Sequence, residues 1–271
     1  MGTKELAAAV SIVLLTIATA ALADAEVQRV GTLGAPGKLV VEGANAFSSG
    51  GIREALFNEL DVIVACDPDA PLTELTTVIA EKTAAGYRDE GFRDVAASVA
   101  AADGKLVLTI EEGERFTNGE IAISGNGEID AEKIITALTR PNTTELKPHP
   151  QWRPTEPASF APETATRLTR TALTAANDQG YYRAKLKATV EPDRSTRQAT
   201  LRLDISDEGP LSTLGDVEMS GNERNSREAV IAYLGFDASS RLIPTLREQI
   251  KRRLLASGRF TQVRWELGEP E

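Results

Sequence analysis

The 271-residue chain has a single cysteine, Cys66, and a single histidine, His149. One thiol cannot close an internal disulfide, and Cys/His metal centres need several ligands at defined spacing, so neither is expected. A Ser-His-Asp or Cys-His arrangement has no rigid home, because His149 falls in a proline-rich stretch. Cys66, in "IVACDPD", reads as a small buried hydrophobe. Basic residues are outnumbered, 30 Lys and Arg against 40 Asp and Glu, for a net charge of −10. That balance argues against nucleic acid as a partner, since affinity for phosphates comes from Lys and Arg. Beyond residue 22 no apolar run approaches the length of a membrane span. Asp67-Pro68-Asp69 reads as a turn, and Glu111-Glu112, after a strand, as solvent-facing. No catalytic group, cofactor or metal is expected. The enzymatic alternative is a secreted hydrolase in which two carboxylates distant in sequence meet in space.

What is present begins with an export signature. Lys4 precedes an apolar run from Leu6 to Leu22, followed by the small-residue exits Ala21-Leu22-Ala23 and Ala23-Asp24-Ala25. Residues 1–25 therefore read as a cleaved signal peptide, which marks the rest for export. About 250 residues remain, enough for two or three domains.

Those residues repeat. "ISGNGEIDAEKIITAL" (123–138) aligns without a gap to "MSGNERNSREAVIAYL" (219–234), matching Gly125 with Gly221, Asn126 with Asn222, Ile134 with Val230 and Leu138 with Leu234. A fainter copy, "VEGANAFSSGGIREAL" (41–56), places Gly43, Ile52 and Leu56 on the same positions. In each copy, alternating apolar residues mark a half-buried strand that a tight turn ends. A helix then starts at Ser48, Asp130 or Ser226, whose side-chain oxygens suit an N-cap. Three longer helices end at Gly91, Gly180 and Gly258, each closely followed by an aromatic. Alternation then resumes, with Ala184, Leu186, Ala188 and Val190 on one face of a strand. A turn, "AADG" or "EPDRST", leads to a last strand.

The order is β-α-α-β-β. Each element has one apolar side to bury, so each unit is an α+β domain: a small mixed sheet with two helices on one face. The expected domains are residues 37–116, residues 117–210 with a proline-rich insertion at 139–162, and residues 211–271. The last ends at "TQVRWELGEPE" with one strand of its hairpin and reads as truncated.

The strand followed by Gly-Asn, the paired helices and the Gly-aromatic ahead of a hairpin resemble the polypeptide-transport-associated (POTRA) domain, found in tandem ahead of outer-membrane barrels of the BamA superfamily. The resemblance implies a noncatalytic periplasmic scaffold for outer-membrane protein assembly or translocation. Its sheet edges would take up strands of unfolded outer-membrane clients or of periplasmic lipoproteins, by β-augmentation. A barrel needs at least eight alternating segments of about ten residues, and none follow the third unit. The chain is then the arm of a longer barrel protein, or a barrel-free or division-type periplasmic adaptor.

In that family the first strand of the closing hairpin usually lies at the edge, here Arg93 to Val99 and Arg183 to Val190. The basic row Arg183, Lys185 and Lys187 is the candidate partner-binding edge, set against the alternative that such charges block aggregation. Trp152, in the insertion with His149, is the candidate loop contact.

Overall fold

The structure, a computed structural model, describes residues 28–125, 127–140, 151–214, 224–237 and 239–264. The signal-peptide reading, His149, Asn126, the Gly221-Asn222 turn and the strand expected at Val217 and Met219 lie outside these residues.

The first unit runs β1 (Leu39–Glu42), α1 (Ser49–Phe57), α2 (Leu60–Ala65), α3 (Leu72–Asp89), β2 (Ala96–Ala102) and β3 (Lys105–Glu111). Its sheet has the order β1-β3-β2, with β1 parallel and β2 antiparallel to the central strand. The second unit repeats the plan with β4 (Thr117–Ser124), α4 (Ala131–Thr139), α5 (Pro162–Asn177), β5 (Lys185–Asp193) and β6 (Gln198–Asp207), in the order β4-β6-β5. The fold is thus α+β, with the β-α-α-β-β arrangement present twice. Helix α2 is an addition between the two helices of the first unit. Farther on, α6 (Arg227–Leu234) and α7 (Pro244–Ala256) pack together; residues 257–264 form no strand, and the rest of the strand expected in "TQVRWEL", residues 265–267, lies outside the described residues.

Alternation builds each core. Leu106, Leu108 and Ile110 of β3 are buried, while Lys105, Thr109 and Glu111 point to solvent; Ala199, Leu201, Leu203 and Ile205 do the same in β6. One face of each sheet is therefore covered. Ile52, Leu75 and Ile79 close the first core, and Ile134, Leu138 and Leu168 the second. Each such side chain contributes roughly 1.5–3 kcal/mol by leaving water. Val230, Leu234, Leu246, Ile250 and Leu254 form a third cluster.

Helix starts follow the sequence. Ser48 accepts from the Gly51 amide, Asp130 from Glu132 and Ser226 from Ala229, at 3.0–3.2 Å. The hairpin turns are tighter than expected. Asp103 and Gly104 alone turn β2 into β3, both at positive φ, the geometry a two-residue hairpin loop needs. Glu191, Pro192 and Asp193 extend β5, so the second turn is only residues 194–197.

Successive units share one joint. The Phe116 amide donates to the Gly91 carbonyl at 2.9 Å, and the Phe116 carbonyl accepts from Ala158 just ahead of α5. Ninety-six positions later Ser212 donates to Gly180 at 2.9 Å and accepts from Leu242 just ahead of α7. The first joint is reinforced by Arg115, which pairs with Glu90 at 2.9 Å and lies over the Phe92 ring, and by Arg194, which pairs with Asp94 at 2.9 Å.

Candidate functional site

A three-stranded sheet has two edges, and each edge strand carries a row of backbone groups turned away from the sheet. Four edges therefore need accounting, and the structure treats them differently.

The β4 edge is covered by the end of the insertion. Asn118 donates to the Glu156 carbonyl at 2.7 Å and accepts from Thr155 at 3.0 Å, while the Trp152 indole donates to the Gly119 carbonyl at 3.0 Å. Trp152 is only 1% exposed and belongs to the second core. It faces inward, as a wedge holding the returning insertion, and presents no surface to a partner. The short β1 edge is met by Arg53, whose Nε donates to the Leu39 carbonyl.

The β5 edge, which contains the basic row, is guarded. Thr169 Oγ1, on α5, accepts from the Ala188 amide at 3.0 Å, so a donor directed away from β6 already has a partner. Lys185 pairs with Asp207 of β6 at 3.1 Å, and Pro192 offers no donor. Lys187 lies exposed on the strand, opposite Asp204 in the register. Arg183 precedes the strand rather than lying in it. Lys185 and Lys187 thus lie on the edge strand and Arg183 just ahead of it, with Lys185 engaged by Asp207.

The β2 edge is different in kind. Its sequence, Ala-Ala-Ser-Val-Ala-Ala-Ala, contains no charge, no proline and no bulky side chain. Ala96, Ser98 and Ala100 are exposed, while Ala97 and Val99 turn toward the core. Among the described residues no side chain hydrogen-bonds to its backbone. This open edge spans Ala96–Ala102, shifted three residues from the expected start at Arg93.

The turns leading into α1 and α4 are held by carboxylates that sequence reading assigned to solvent or passed over. Glu112 Oε1 accepts from the Asn45 and Ala46 amides at 2.7 and 2.9 Å and from the Tyr87 hydroxyl at 3.0 Å. Partial burial would push its carboxyl up, but these hydrogen bonds outweigh burial and hold it below its ordinary range. In the second unit Glu208 accepts from Gly127, Glu128 and Ile129, which likewise lowers its carboxyl. A glycine precedes each clasped turn by necessity. At Gly43 (φ +79°) and Gly125 (φ +76°) a Cβ would stand 2.1 Å from the carbonyl oxygen of Ile110 or Ile205.

A cleft of about 720 Å³ opens between α1 and α3, lined by Phe47, Ile52, Leu56 and Tyr87 with Glu59, Asp89 and Glu163 among its acids. Two of those acids are engaged: Glu59 pairs with Lys82, and Asp89 accepts from Ser159. Among the described residues no group of three or more His, Cys, Asp or Glu is placed to hold a metal ion. Cys66 is half-buried against the first core, and burial pushes its thiol up. Among the described residues no helix is long and apolar enough to cross a membrane.

No family model matches the chain, and no curated protein matches it. Solved structures do. BamA POTRA3-5 of Haemophilus influenzae aligns over 83% of this chain and 86% of its own, at 19% identity and a TM-score of 0.39. The N-terminal domain of Omp85 from Thermosynechococcus elongatus aligns over 84% and 87%, at 17% identity and a TM-score of 0.36. CdiB from Escherichia coli covers 70% of this chain and 29% of its own, at 14% identity and a TM-score of 0.29.

Proposed function

We propose that this chain is a noncatalytic, exported scaffold that receives extended polypeptide segments by strand addition at β2, in the service of outer-membrane protein assembly or translocation. The observation that carries the reading is the contrast between edges. β4 is covered by its own insertion, and β5 is guarded by Thr169, Lys185 and Pro192. β2 has none of these devices, although an unguarded edge is an aggregation hazard that soluble proteins ordinarily block. An edge kept open despite that hazard is suited to adding a visiting strand, whose main-chain hydrogen bonds place little demand on client sequence. The small side chains of β2 leave room beside the backbone for varied neighbours. The periplasmic and outer-membrane setting rests on the export signature and on the repeated Gly-turn, helix-pair and hairpin pattern.

A photo-crosslinking amino acid at Ser98 or Ala100, and at Lys187 for comparison, tests the assignment on purified protein mixed with a urea-unfolded outer-membrane barrel protein. Crosslinks concentrated at β2, and suppressed by Lys at the other exposed β2 position, are expected. Equal crosslinking at β2 and β5, unaffected by the added Lys, would overturn it.

A further inference from the structure

The first unit carries a second surface that the strand-edge reading does not use. Helix α2 turns Val62 and Ala65 into the core, yet Leu60, Ile63 and Val64 stand 71%, 52% and 64% exposed. Spaced three and four apart, they form one stripe on the outer side of the helix. Large aliphatic side chains scattered singly on a surface need no explanation, but three adjacent ones on one short helix are an apolar patch of the kind that marks an interaction site. The link from α6 to α7 shows no such helix among its described residues, so the repeat itself does not require α2.

The surroundings of the stripe are acidic. Glu59 and Asp61 flank Leu60, Asp67 lies one turn beyond Val64, and Glu54 and Asp69 are near in sequence. Two cations reach this rim, Lys82 of α3, which pairs with Asp61 and Glu59, and Arg29, which donates to the Asp69 carbonyl, and the five acids outnumber them. An apolar stripe with a negative rim repels an anionic membrane surface and complements a helix that presents aliphatic residues between Lys and Arg.

We propose that the outer face of α2 docks a basic amphipathic helix of a partner protein, its aliphatic side chains on Leu60, Ile63 and Val64 and its cations on Glu59, Asp61 and Asp67. The contact is a helix-on-helix one, separate from strand addition, so it gives the scaffold a place to hold a folded partner while β2 is occupied.

The test uses the full chain and a fluorescent synthetic helix with Leu at positions i, i+3, i+4 and i+7 flanked by Lys and Arg, alongside a control with Glu in place of every cation. The basic helix binds, with anisotropy showing weakening of at least about threefold between 50 and 300 mM salt. The variant Leu60→Ser, Ile63→Ser, Val64→Ser, whose changes lie on exposed positions and leave the core intact, weakens binding by at least about tenfold. Glu59→Gln with Asp61→Asn reduces the salt dependence while the circular dichroism stays unchanged. Equal binding of the acidic control, or binding indifferent to the triple variant, overturns the proposal. So does flotation of the protein with anionic vesicles that the triple variant abolishes, which would make the stripe a membrane contact. Self-association lost in the triple variant, seen by sedimentation, would instead assign the stripe to a second copy and would likewise overturn it.

Discussion

Thr169 Oγ1 accepts a hydrogen bond from the Ala188 amide at 3.0 Å, tying helix α5 to a backbone donor on the outer edge of β5. A helix side chain thereby closes an edge that strand chemistry would leave open. Replacing Thr169 with Val keeps the shape and removes the acceptor. Stability falls by about 1 kcal/mol, the net worth of one hydrogen bond. The Ala188 amide exchanges with solvent faster in Thr169→Val than in the parent, and amides facing β6 do not change. Unchanged exchange at Ala188 would mean that another group guards this edge.

Gly43 and Gly125 occupy equivalent positions, each at positive φ and each pressed against a carbonyl of the central strand. Alanine at either site is strained in φ and collides with the Ile110 or Ile205 oxygen. Gly125→Ala costs at least about 2 kcal/mol in denaturant unfolding. Gly37→Ala, where a Cβ meets nothing within 4 Å, costs far less.

The carboxylate clasps give a pH signature. Glu112 and Glu208 are both held below their ordinary carboxyl value of 4.5 in the folded protein. A depressed folded value means that the charged form favours folding. Their contribution is complete above pH 4.5 and is lost as pH falls through the lower folded values. Glu208→Gln is therefore less stable than the parent at pH 7, and the difference shrinks below pH 4.5. A gap that stays constant from pH 7 to pH 3 would remove the charge from the account.

Local features were legible because neighbours in sequence make them. The N-caps at Ser48, Asp130 and Ser226 and the positive-φ glycines Gly91, Gly180 and Gly258 lie where helix chemistry puts them. The two complete units followed from alternation and helical spacing. Long-range partners were not legible. Glu112 reaches back 67 residues to Asn45, and Glu208 reaches back 81 to Gly127. Their offsets from the last buried isoleucine differ by one residue, so an ungapped alignment hides the correspondence. Trp152 reads as a loop aromatic because its polar partner, the Gly119 carbonyl, comes from a strand 33 residues earlier. The basic row Arg183, Lys185 and Lys187 was visible in sequence, whereas the pairing of Lys185 with Asp207 and the Thr169 guard depend on tertiary packing.

The joint between the first two units predicts a defined arm. Arg115 pairs with Glu90 and lies 5.5 Å from the centre of the Phe92 ring. Contacts of this exposed kind are worth about 1 kcal/mol together. Arg115→Ala leaves both cores folded and widens the spread of distances between spin labels placed on α1 and α4. An unchanged distance distribution would assign the rigidity to the other joint contacts, the Gly91–Phe116 and Phe116–Ala158 backbone bonds and the Arg194–Asp94 pair.

The most direct test of the scaffold reading is residue-resolved amide exchange on the chain, alone and with a ten-residue peptide of alternating Val and Thr. Strand addition at β2 predicts that alternate amides within Ala96–Ala102 become protected on binding, that those of β5 do not, and that Ser98→Lys with Ala100→Lys abolishes the change. Protection confined to β5, or peptide binding that leaves every β2 amide exchanging as before, would contradict it.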